Sequence, residues 1–426
     1  MAQQMTKPLD ATALIAELVV AARAAQAILG KSSHQQRCAA LTAAAAAIRA
    51  LRTQILSTNE KDIAAAGESG LSPAFVDRLT LTEARIEDMA TGLEAMTRLD
   101  DPLWVELARW QRPNGLDIAR VSTPLGVIGI IYESRPNVTV DAAGLCIIAG
   151  NAAILRGGSD SQHTSSLLAD IMATALRDAG LPSAAVQMVP TTDRMAVGAM
   201  LTAVGGIDVV IPRGGRSLVE RVQTEARVPV FAHLEGICHV YVEAHADLEK
   251  ARSIVLNSKM RRTGICGAAE TLLVDRAIAP AFLPDIAADL KAAGCILRGD
   301  AAARAIVPSI EPADEQDWHT EYLDAILSVR VVDDSDEAIA HIATYGSSHT
   351  ESIITESDSA AAKFFAEVDS AIVMQNASTQ FADGGEFGMG AEIGISTGRL
   401  HARGPVGAAQ LTSFKYVVRG NGQTRS

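Results

Sequence analysis

The run Val127-Ile128-Gly129-Ile130-Ile131 begins the part of the chain that decides the fold. Short runs rich in β-branched residues follow it, and amphipathic helical stretches separate them; these runs are Ala152 to Leu155, Val186 to Val189, Val209 to Ile211 and His239 to Val242. Strands that alternate with helices in this way are typical of α/β proteins, in which a parallel sheet carries helices on both faces. The pattern therefore predicts a doubly wound parallel sheet.

A second series of strands and helices follows the first. Its strands are predicted at Glu270 to Val274, Cys295 to Leu297, Ile326 to Val332, Ser352 to Thr355 and Ile372 to Gln375. A chain of 426 residues with 48 % hydrophobic content is long enough for two or three domains with separate cores. We therefore expect two α/β domains, preceded by several surface helices between about residues 10 and 97.

A β-hairpin is predicted around Asn114-Gly115. On either side of this turn, Trp104 to Trp110 and Leu116 to Val121 alternate apolar with polar or small residues. Near the end of the chain, Gln410 to Val418 has the pattern of an extended strand. Together these segments would form a small β element for oligomerisation, although an edge strand that pairs within the chain fits the pattern equally well.

The charge balance excludes one large class of partner. Lys and Arg number 37 against 50 Asp and Glu, which gives a net charge of −13. Sequence-independent binding of nucleic acid needs a basic surface, which this acidic chain does not offer.

The N-terminal segment is predicted to be a helix of the folded protein. Near the N-terminus, Asp10, Glu17 and Arg23 interrupt an apolar stretch at helical spacing, which favours an amphipathic helix over a signal peptide or a membrane span.

The five cysteines are odd in number, widely spaced and never in a Cys-x-x-Cys pair. The sequence therefore suggests neither a disulfide framework nor a zinc site, and a reduced, cytoplasmic setting fits best. Four of them fit the role of small buried side chains; they are Cys38, Cys146, Cys238 and Cys295.

Cys266 differs from the other cysteines in its surroundings. It lies in Arg261-Arg262-Thr263-Gly264-Ile265-Cys266-Gly267, a basic loop with glycines that follows a helix and leads into an apolar strand. Such a loop can expose a reactive thiolate in a cleft, and the arginines would favour the charged form. The alternative is again a small buried side chain.

Two glycine pairs follow predicted strands of the first sheet, each directly after an arginine. They are Arg156-Gly157-Gly158 and Arg213-Gly214-Gly215, and the second opens a helix. Free amides at a helix start bind phosphate, and ligands of such sheets lie at the carboxyl ends of the strands. Since no Gly-x-Gly-x-x-Gly is present, an ordinary strand-to-helix turn is an equal alternative at each pair. An arginine beside a dinucleotide loop favours NADP over NAD.

Asn137 ends a polar turn, Tyr132-Glu133-Ser134-Arg135-Pro136-Asn137, that directly follows the first predicted strand. Its side-chain amide can point at a developing oxyanion, as such amides do in acyl transfer. A capping or Asx-turn role is the alternative, and the residues alone favour that alternative.

Four separated segments carry a resemblance to a known family. They are Tyr132 to Thr139, His233 to His239, Ala338 to Glu351 and Gly394 to Pro405. These segments are similar to the signatures of the γ-glutamyl phosphate reductase family of the aldehyde dehydrogenase superfamily, and the similarity runs from the N-terminal helices to the C-terminal strand. The resemblance implies NADPH-dependent reduction of γ-glutamyl phosphate to glutamate 5-semialdehyde, the second step of proline biosynthesis from glutamate. It implies no metal requirement.

The resemblance also implies an aldehyde-dehydrogenase-like layout of domains. Residues 1–102 and 125–244 would form the NADPH-binding domain, and residues 245–395 the catalytic domain with the nucleophile. Residues 103–124 and 405–420 would form the oligomerisation hairpin and the C-terminal strand. The expected partners are a small-molecule substrate and further copies of the chain, with neither nucleic acid nor a membrane among them. Channelling from glutamate 5-kinase is chemically attractive, but no residue of the chain supports it.

Matched by position, Cys266 corresponds to the family's catalytic nucleophile and Asn137 to its oxyanion-hole asparagine. Arg156 falls where the superfamily usually has a lysine near the adenosine ribose. Glu321 falls where a glutamate commonly holds the nicotinamide ribose.

The residues that bind the glutamyl carboxylate are less defined, and four arginines are unranked candidates; they are Arg135, Arg262, Arg399 and Arg403. His349, Glu351 and His401 belong to the family signature, with structural roles as well supported as substrate contacts.

The chain departs from the hydrolytic aldehyde dehydrogenases at one informative position. Their general-base glutamate lies in a Glu-Leu-Gly-Gly motif, and His233-Leu234-Glu235-Gly236 places a histidine there. Hydrolysis of a thioester needs an activated water and reduction does not, so the missing glutamate favours hydride delivery. Two alternatives stay open: a hydrolytic enzyme with Glu235 as its base, and a nucleotide-binding scaffold without catalysis.

Overall fold

The computed structural model describes residues 10–70 and 73–425. Its α-helices, in chain order, are α1 (Ala11–Leu29), α2 (His34–Ala50), α3 (Arg52–Glu68), α4 (Pro73–Leu79), α5 (Glu83–Met96), α6 (Asn137–Ile148), α7 (Gln162–Asp178), α8 (Arg194–Leu201), α9 (Arg216–Glu225), α10 (Leu248–Met260), α11 (Ala279–Ala292), α12 (Ala301–Ile306), α13 (Glu315–Trp318), α14 (Ser335–Tyr345) and α15 (Asp358–Glu367).

The strands complete the description of secondary structure. In chain order they are β1 (Glu106–Gln111), β2 (Asp117–Pro124), β3 (Val127–Tyr132), β4 (Ala152–Arg156), β5 (Val186–Met188), β6 (Val209–Arg213), β7 (Cys238–Val242), β8 (Ala269–Asp275), β9 (Ile296–Gly299), β10 (Glu311–Pro312), β11 (Ile326–Val332), β12 (Thr350–Ile354), β13 (Ile372–Gln375), β14 (Ile395–Ser396), β15 (Gly404–Pro405) and β16 (Thr412–Arg419). Every strand predicted for the parallel sheets is present.

The chain divides into two compact units. The first comprises Met1–Ala232, Gly388–Gly394 and Val406–Ser426, and the second comprises His233–Phe387 and Ile395–Pro405. In the first unit, β5, β4, β3 and β6 lie side by side in a parallel sheet. The residues of β3 and β4 are buried throughout, which explains why Val127 to Ile131 and Ala152 to Leu155 are continuously apolar instead of alternating.

Helix α1 is, among the described residues, the one helix long and apolar enough by length and composition to cross a membrane. Here it packs against β4 and α8 of the first unit. Ala22 and Leu29 are fully buried in this contact. On the same helix, Arg23 forms an ion pair with Asp208, 2.7 Å apart. These contacts fit the amphipathic helix predicted from the sequence.

The first unit also carries an antiparallel sheet of β1, β2 and β16. Strands β1 and β2 form the predicted hairpin, and β16 pairs with the other edge of β2. The C-terminal strand therefore finds its partner within its own chain, which was one of the two alternatives. The sheet nevertheless exposes large apolar side chains; they include Leu107, Trp110, Phe414, Tyr416 and Val418.

The second unit contains a seven-stranded parallel sheet in the order β10-β9-β11-β8-β7-β12-β13. One face packs on α10 and α11, where Leu272 meets a core that includes Phe282. The other face packs on α14 and α15, where Leu273 meets a core that includes Phe364. Adjacent strand residues thus point to opposite covered faces, and the predicted second doubly wound sheet is confirmed.

The expected domain boundary at residue 244 is wrong. Strand β7 pairs with β8 and β12 in the second sheet, and the second unit begins at His233. A β-branched run identifies a strand but not its neighbours, so the sequence assigned β7 to the sheet that precedes it. The expected end of the second domain at residue 395 is also corrected, because Gly388–Gly394 belongs to the first unit and Ile395–Pro405 to the second.

Candidate active site

Cys266 lies on the loop of residues 261–268, between the end of α10 and the start of β8. Its side chain is half-buried, and the thiol is not in a disulfide. His233 and His349 each bring a ring nitrogen towards its sulfur, and the three atoms all lie within 4.8 Å of one another. The predicted nucleophile therefore lies beside two imidazole rings of its own unit.

His349 immediately precedes β12 and is fully buried. Its Nδ1 lies 2.8 Å from the hydroxyl oxygen of Thr350 and 3.5 Å from the sulfur of Cys238. Its Nε2 has no hydrogen-bond partner among the described residues. Burial, and then the neighbouring His233, lowers the pKa of His349 to about 3. The ring is therefore neutral at physiological pH and presents a lone pair instead of a positive charge.

His233 is held in one orientation by the main chain. Its Nδ1 lies 2.8 Å from the carbonyl oxygen of Ile395. A carbonyl oxygen can only accept a hydrogen bond, so Nδ1 carries the proton and Nε2 is the acceptor in the neutral ring. The rings of His233 and His349 meet edge to face with centroids 5.1 Å apart. The histidine at the position of the hydrolytic glutamate thus has a defined tautomer.

The segment before β7 holds the main chain of the nucleophile loop. The Cys238 thiol donates a hydrogen bond to the carbonyl oxygen of Cys266 at 3.0 Å. Burial raises the pKa of the Cys238 thiol well above its ordinary value, which keeps it protonated as a donor. Two residues earlier, the Gly236 N–H donates to a carboxylate oxygen of Glu321 at 2.9 Å. Glu321 therefore lies next to the nucleophile loop in the second unit.

A buried ion pair joins the two ends of this loop. Lys259 Nζ, near the end of α10, lies 2.6 Å from Glu270 Oε2 in β8, and both side chains are almost fully buried. The Leu323 N–H donates to the other carboxylate oxygen of Glu270 at 3.2 Å. Burial raises the pKa of Glu270 to about 7, although Lys259 acts in the opposite direction. The ion pair therefore holds together Lys259 and Glu270, the residues on either side of the nucleophile loop.

The two arginines at the start of the loop contact Gln380. Arg261 and Arg262 are both exposed. Arg261 donates to the side chain of Gln380 at 3.5 Å, and Gln380 donates to the carbonyl oxygen of Arg262 at 3.2 Å. These contacts anchor the basic end of the loop, and the imidazoles of His233 and His349 lie beside the sulfur.

Two candidates for binding the substrate carboxylate already bind a carboxylate of the chain. Arg399 and Arg403 both form ion pairs with Asp369, and Arg403 also donates to the Asp369 carbonyl oxygen at 2.9 Å. The other two candidates, Arg135 and Arg262, are half-buried and exposed, respectively.

Of the family-signature residues, Glu351 has a structural role in the second unit. Its carboxylate is fully buried and accepts bonds from the N–H and the ring Nδ1 of His239, both at 2.9 Å. It thereby links β12 to β7. His401 is exposed and has a φ of 67°.

Asn137 is the first residue of α6 in the first unit, and it is half-buried. Its Nδ2 donates to the carboxylate of Asp141, one helical turn further on, at 3.0 Å. The helix start has no side-chain cap, so the capping alternative is not supported. Burial raises the pKa of Asp141 to about 6, while Asn137 and Arg213 lower it. Because an amide carries two N–H groups, Asn137 keeps one for a further acceptor.

Arg156 ends β4 and is nearly buried. Its Nη2 donates to the carbonyl oxygen of Thr192 at 2.7 Å, and its Nε is buried without a hydrogen-bond partner among the described residues. Burial and then the positive charge of Arg194 lower the pKa of Arg156. An under-paired guanidinium close to a second cation favours an anionic ligand, so these residues fit a phosphate group.

The two glycine pairs differ in what surrounds them. An added Cβ at Gly158 would lie 2.1 Å from a carboxylate oxygen of Asp160, so this turn has no room for a side chain. At the second pair, the Gly215 N–H donates to the Glu133 carboxylate at 3.1 Å. This amide at the start of α9 is therefore already engaged by an anion of the chain, as helix starts commonly are.

Comparison with known proteins decides the family. Residues 3–311 match the Aldehyde dehydrogenase family. A protein named γ-glutamyl phosphate reductase from Parvibaculum lavamentivorans is 60 % identical over 417 residues, which are 98 % of both chains. The chain belongs to the γ-glutamyl phosphate reductase family. Another relative of that name, from Brucella suis biovar 1, is 59 % identical and covers 99 % of this chain and 100 % of its own length.

The structural comparison agrees with the family assignment. The crystal structure of γ-glutamyl phosphate reductase from Thermotoga maritima has a TM-score of 0.94 and 44 % identity, and it covers 97 % of this chain and 100 % of its own. The aldehyde-dehydrogenase-like fold predicted from four sequence segments is thereby confirmed for this member of the γ-glutamyl phosphate reductase family.

Two residues of the site escaped the sequence reasoning. The contact between Asn137 and Asp141 could have been predicted from the sequence, because residues four apart on a helix lie side by side and Asn137 is followed by an acidic residue at that spacing. Cys238 had no such signal, since its contact with Cys266 requires β7 to lie beside β8. In this chain, Asp141 could therefore be found by inspection of the sequence, and Cys238 only from the structure.

Proposed function

We propose that the chain catalyses the NADPH-dependent reduction of γ-glutamyl phosphate to glutamate 5-semialdehyde and phosphate. This reaction is the second step of proline biosynthesis from glutamate, and its product cyclises to 1-pyrroline-5-carboxylate. The observation that carries the proposal is the half-buried thiol of Cys266 beside two imidazoles. It occurs in a chain that matches γ-glutamyl phosphate reductases over nearly its full length.

The first chemical step is acyl transfer to Cys266. Its thiolate attacks the carbonyl carbon of the acyl phosphate, the bond from that carbon to the phosphate oxygen breaks, and phosphate leaves. A neutral imidazole beside the sulfur can accept the thiol proton before the attack. The N–H of Asn137 that is not bound to Asp141 would stabilise the oxyanion, an interaction worth roughly 3–4 kcal/mol per donor in acyl transfer.

The second step reduces the thioester. When bound, NADPH supplies the hydride for the thioester carbon. The chain holds the acyl group on Cys266 during this step, and the carbon–sulfur bond then breaks to release the aldehyde and return the thiolate. The weak basicity of His349, with its pKa lowered to about 3, makes it unsuited to activating a hydrolytic water. Hydrolysis with Glu235 as the base is the competing activity.

We infer that the first unit binds NADPH at the carboxyl ends of β4 and β6. Arg156 supports this inference, because its buried Nε, which has no partner within residues 10–70 and 73–425, would be satisfied by the 2′-phosphate that distinguishes NADP from NAD. Gly157 and Gly158 would let the cofactor approach the main chain closely. The second glycine group, Arg213 with Gly214 and Gly215, is open to a phosphate only if Glu133 moves. Glu321 is the candidate for the nicotinamide ribose.

The remaining proposals concern assembly and location. The antiparallel sheet of the first unit is the proposed oligomerisation surface, because its large apolar side chains are exposed. None of the five cysteines, all of which lie in the described part of the chain, forms a disulfide, which suits a reduced, cytoplasmic setting. An acyl phosphate is short-lived in water, so direct transfer from glutamate 5-kinase is chemically favourable.

Running the reaction backwards tests the proposal. The purified chain is given glutamate 5-semialdehyde, phosphate and NADP, and the absorbance of NADPH is followed alongside Cys266→Ala and a phosphate-free control. Phosphate-dependent NADPH formation that disappears in the variant is the expected result. Turnover without phosphate would mean hydrolytic oxidation of the aldehyde, and no turnover in the wild type would favour a nucleotide-binding scaffold.

A further inference from the structure

The three side chains around the nucleophile come from three neighbouring strands of the second unit. His233 lies before β7, Cys266 before β8 and His349 before β12. Strand β7 lies between the other two, and all three are parallel. Their N-terminal ends therefore meet at one edge of the sheet, which brings residues far apart in the sequence to within 4.8 Å. The fold itself builds this cluster.

His349 gives independent evidence that the cluster can take a ligand. Its ring is fully buried, and its Nε2 has no hydrogen-bond partner among the described residues. Its Nδ1 is already engaged by the hydroxyl of Thr350 at 2.8 Å, which leaves Nε2 as the nitrogen available for coordination. Buried polar atoms are rarely left unpaired, so a group that binds this lone pair would stabilise the site.

The donor atoms match one class of ligand. One thiolate with two neutral imidazoles is a donor set of the kind that binds Zn²⁺, and three protein ligands leave a fourth position open to water. Tetrahedral Zn²⁺ with bonds of about 2.0–2.3 Å holds its donors about 3.3–3.6 Å apart. The observed limit of 4.8 Å therefore requires the donor atoms to close by up to about 1.2–1.5 Å, which rotations of the half-buried side chains of His233 and Cys266 provide.

We propose that His233, Cys266 and His349 form a Zn²⁺ site that reversibly inhibits the enzyme. The metal would bind the sulfur that attacks the substrate, so bound Zn²⁺ and acyl transfer exclude each other. Binding releases the thiol proton of Cys266 and changes no oxidation state, so no further reactant is needed. The inhibition rests on the proposed role of Cys266, whereas the coordination rests only on the geometry of the three side chains.

Cobalt binding tests the coordination without reference to activity. Co²⁺ takes the place of Zn²⁺ in tetrahedral sites, and a bound thiolate adds an intense sulfur-to-cobalt charge-transfer band in the near ultraviolet. Titrating the full-length reduced protein with Co²⁺ should produce this band with one equivalent bound, and added Zn²⁺ should abolish it. Absence of the band with cobalt in excess of protein would overturn the proposal.

Matched variants identify the ligands. Cys266→Ser should lose the charge-transfer band entirely, while His349→Gln and His233→Gln should each weaken Zn²⁺ binding by at least about tenfold. Two histidine variants are used because the first replaces a buried ring that also supports the fold. Cys38→Ser removes a half-exposed thiol that lies 3.4 Å from a ring nitrogen of His34, and it should leave binding unchanged. A band that persists in Cys266→Ser would contradict the assignment.

The inhibition is measured separately. The enzyme is incubated with Zn²⁺, diluted into the assay with or without a chelator, and compared with untreated enzyme. Loss of activity that the chelator restores is the expected result. A normal cobalt spectrum with full activity in Zn²⁺ would refute the inhibitory role and the nucleophile assignment while leaving the coordination intact. A missing spectrum with full Cys266-dependent activity would refute only the metal site.

Discussion

An added Cβ atom at Gly236 would lie 2.2 Å from the carbonyl oxygen of Cys266 and 2.8 Å from its Cα. Packed protein atoms do not approach this closely, so the backbone at Gly236 lies directly against the main chain of the nucleophile. The Cys238 thiol binds the same carbonyl oxygen at 3.0 Å. Residues 236–238 therefore set the position of the Cys266 backbone, and through it the position of the sulfur.

Gly236→Ala is expected to lower kcat by about 100-fold, since a displacement of about 1 Å at a reacting group can cost that much. Steady-state kinetics measure the loss, and circular dichroism checks that the fold is retained. Gly264→Ala, on the nucleophile loop itself, is the matched control, because an added Cβ there would meet only the Leu323 carbonyl oxygen, at 3.9 Å. Equal losses in the two variants would refute the packing argument.

Asp141 is expected to act as a positioning residue for Asn137. Asp141→Ala removes the acceptor that fixes the Asn137 amide, so kcat should fall by about tenfold, less than the 10²–10³ that loss of an oxyanion donor costs. KM for NADPH should not change, because the cofactor does not contact this pair in the proposal. Asp141→Asn keeps an acceptor oxygen and should restore most of the rate. An equal loss of kcat in Asp141→Ala and Asp141→Asn would argue against a positioning role for Asp141.

Much of the fold could be predicted from the sequence, because strands buried on both faces have continuous apolar runs that mark them without knowledge of their neighbours. The partners of a strand are not encoded in this way, so β7 was assigned to the wrong sheet. The same limit applies at the site. Cys266 and Asn137 could be predicted from their loops and from the family resemblance, whereas the closeness of His233 and His349 to Cys266 depends on three strands meeting at one sheet edge.

The buried pair of Lys259 and Glu270 should make stability depend on pH. The pKa of Glu270 is raised by burial to about 7 from 4.5, so the folded protein holds the Glu270 proton more tightly than the unfolded chain does. The stability that comes from this difference is complete below pH 4.5 and is lost as the pH rises through 7. Between these values the free energy of unfolding should fall by at most about 1.4 kcal/mol per pH unit from this group.

Replacing both members of the pair tests this dependence. The double variant Lys259→Met with Glu270→Gln should lack this part of the pH dependence in urea unfolding between pH 5 and 8. Each single replacement should destabilise the protein by about 3–5 kcal/mol, since it leaves a buried group without its partner. The double variant should lose less than the sum of the singles. Additive losses would show that the two side chains are not coupled.

Arg156→Ala should shift the coenzyme preference from NADP towards NAD. The guanidinium has a buried Nε without a partner among the described residues, and a 2′-phosphate would pair with it. The kcat/KM for NADP should fall by at least about tenfold, while that for NAD should change little, because a charge-assisted hydrogen bond contributes about 1.5–3 kcal/mol. Arg177→Ala, at an exposed arginine in the last turn of α7, is the control. An equal loss with both coenzymes would indicate a structural role for Arg156.

The exposed apolar side chains of the antiparallel sheet should hold copies of the chain together. Leu107 and Val418 are 47 % and 54 % exposed on β1 and β16, and Trp110 meets Tyr416 edge to face across the sheet with centroids 6.1 Å apart. Replacing Leu107 and Val418 by Lys would place charges in a buried contact, so light scattering should report a smaller assembly than for the wild type. Val20→Lys, at a side chain 72 % exposed on α1, should leave the mass unchanged. A monomeric wild type at micromolar concentration would refute the assembly itself.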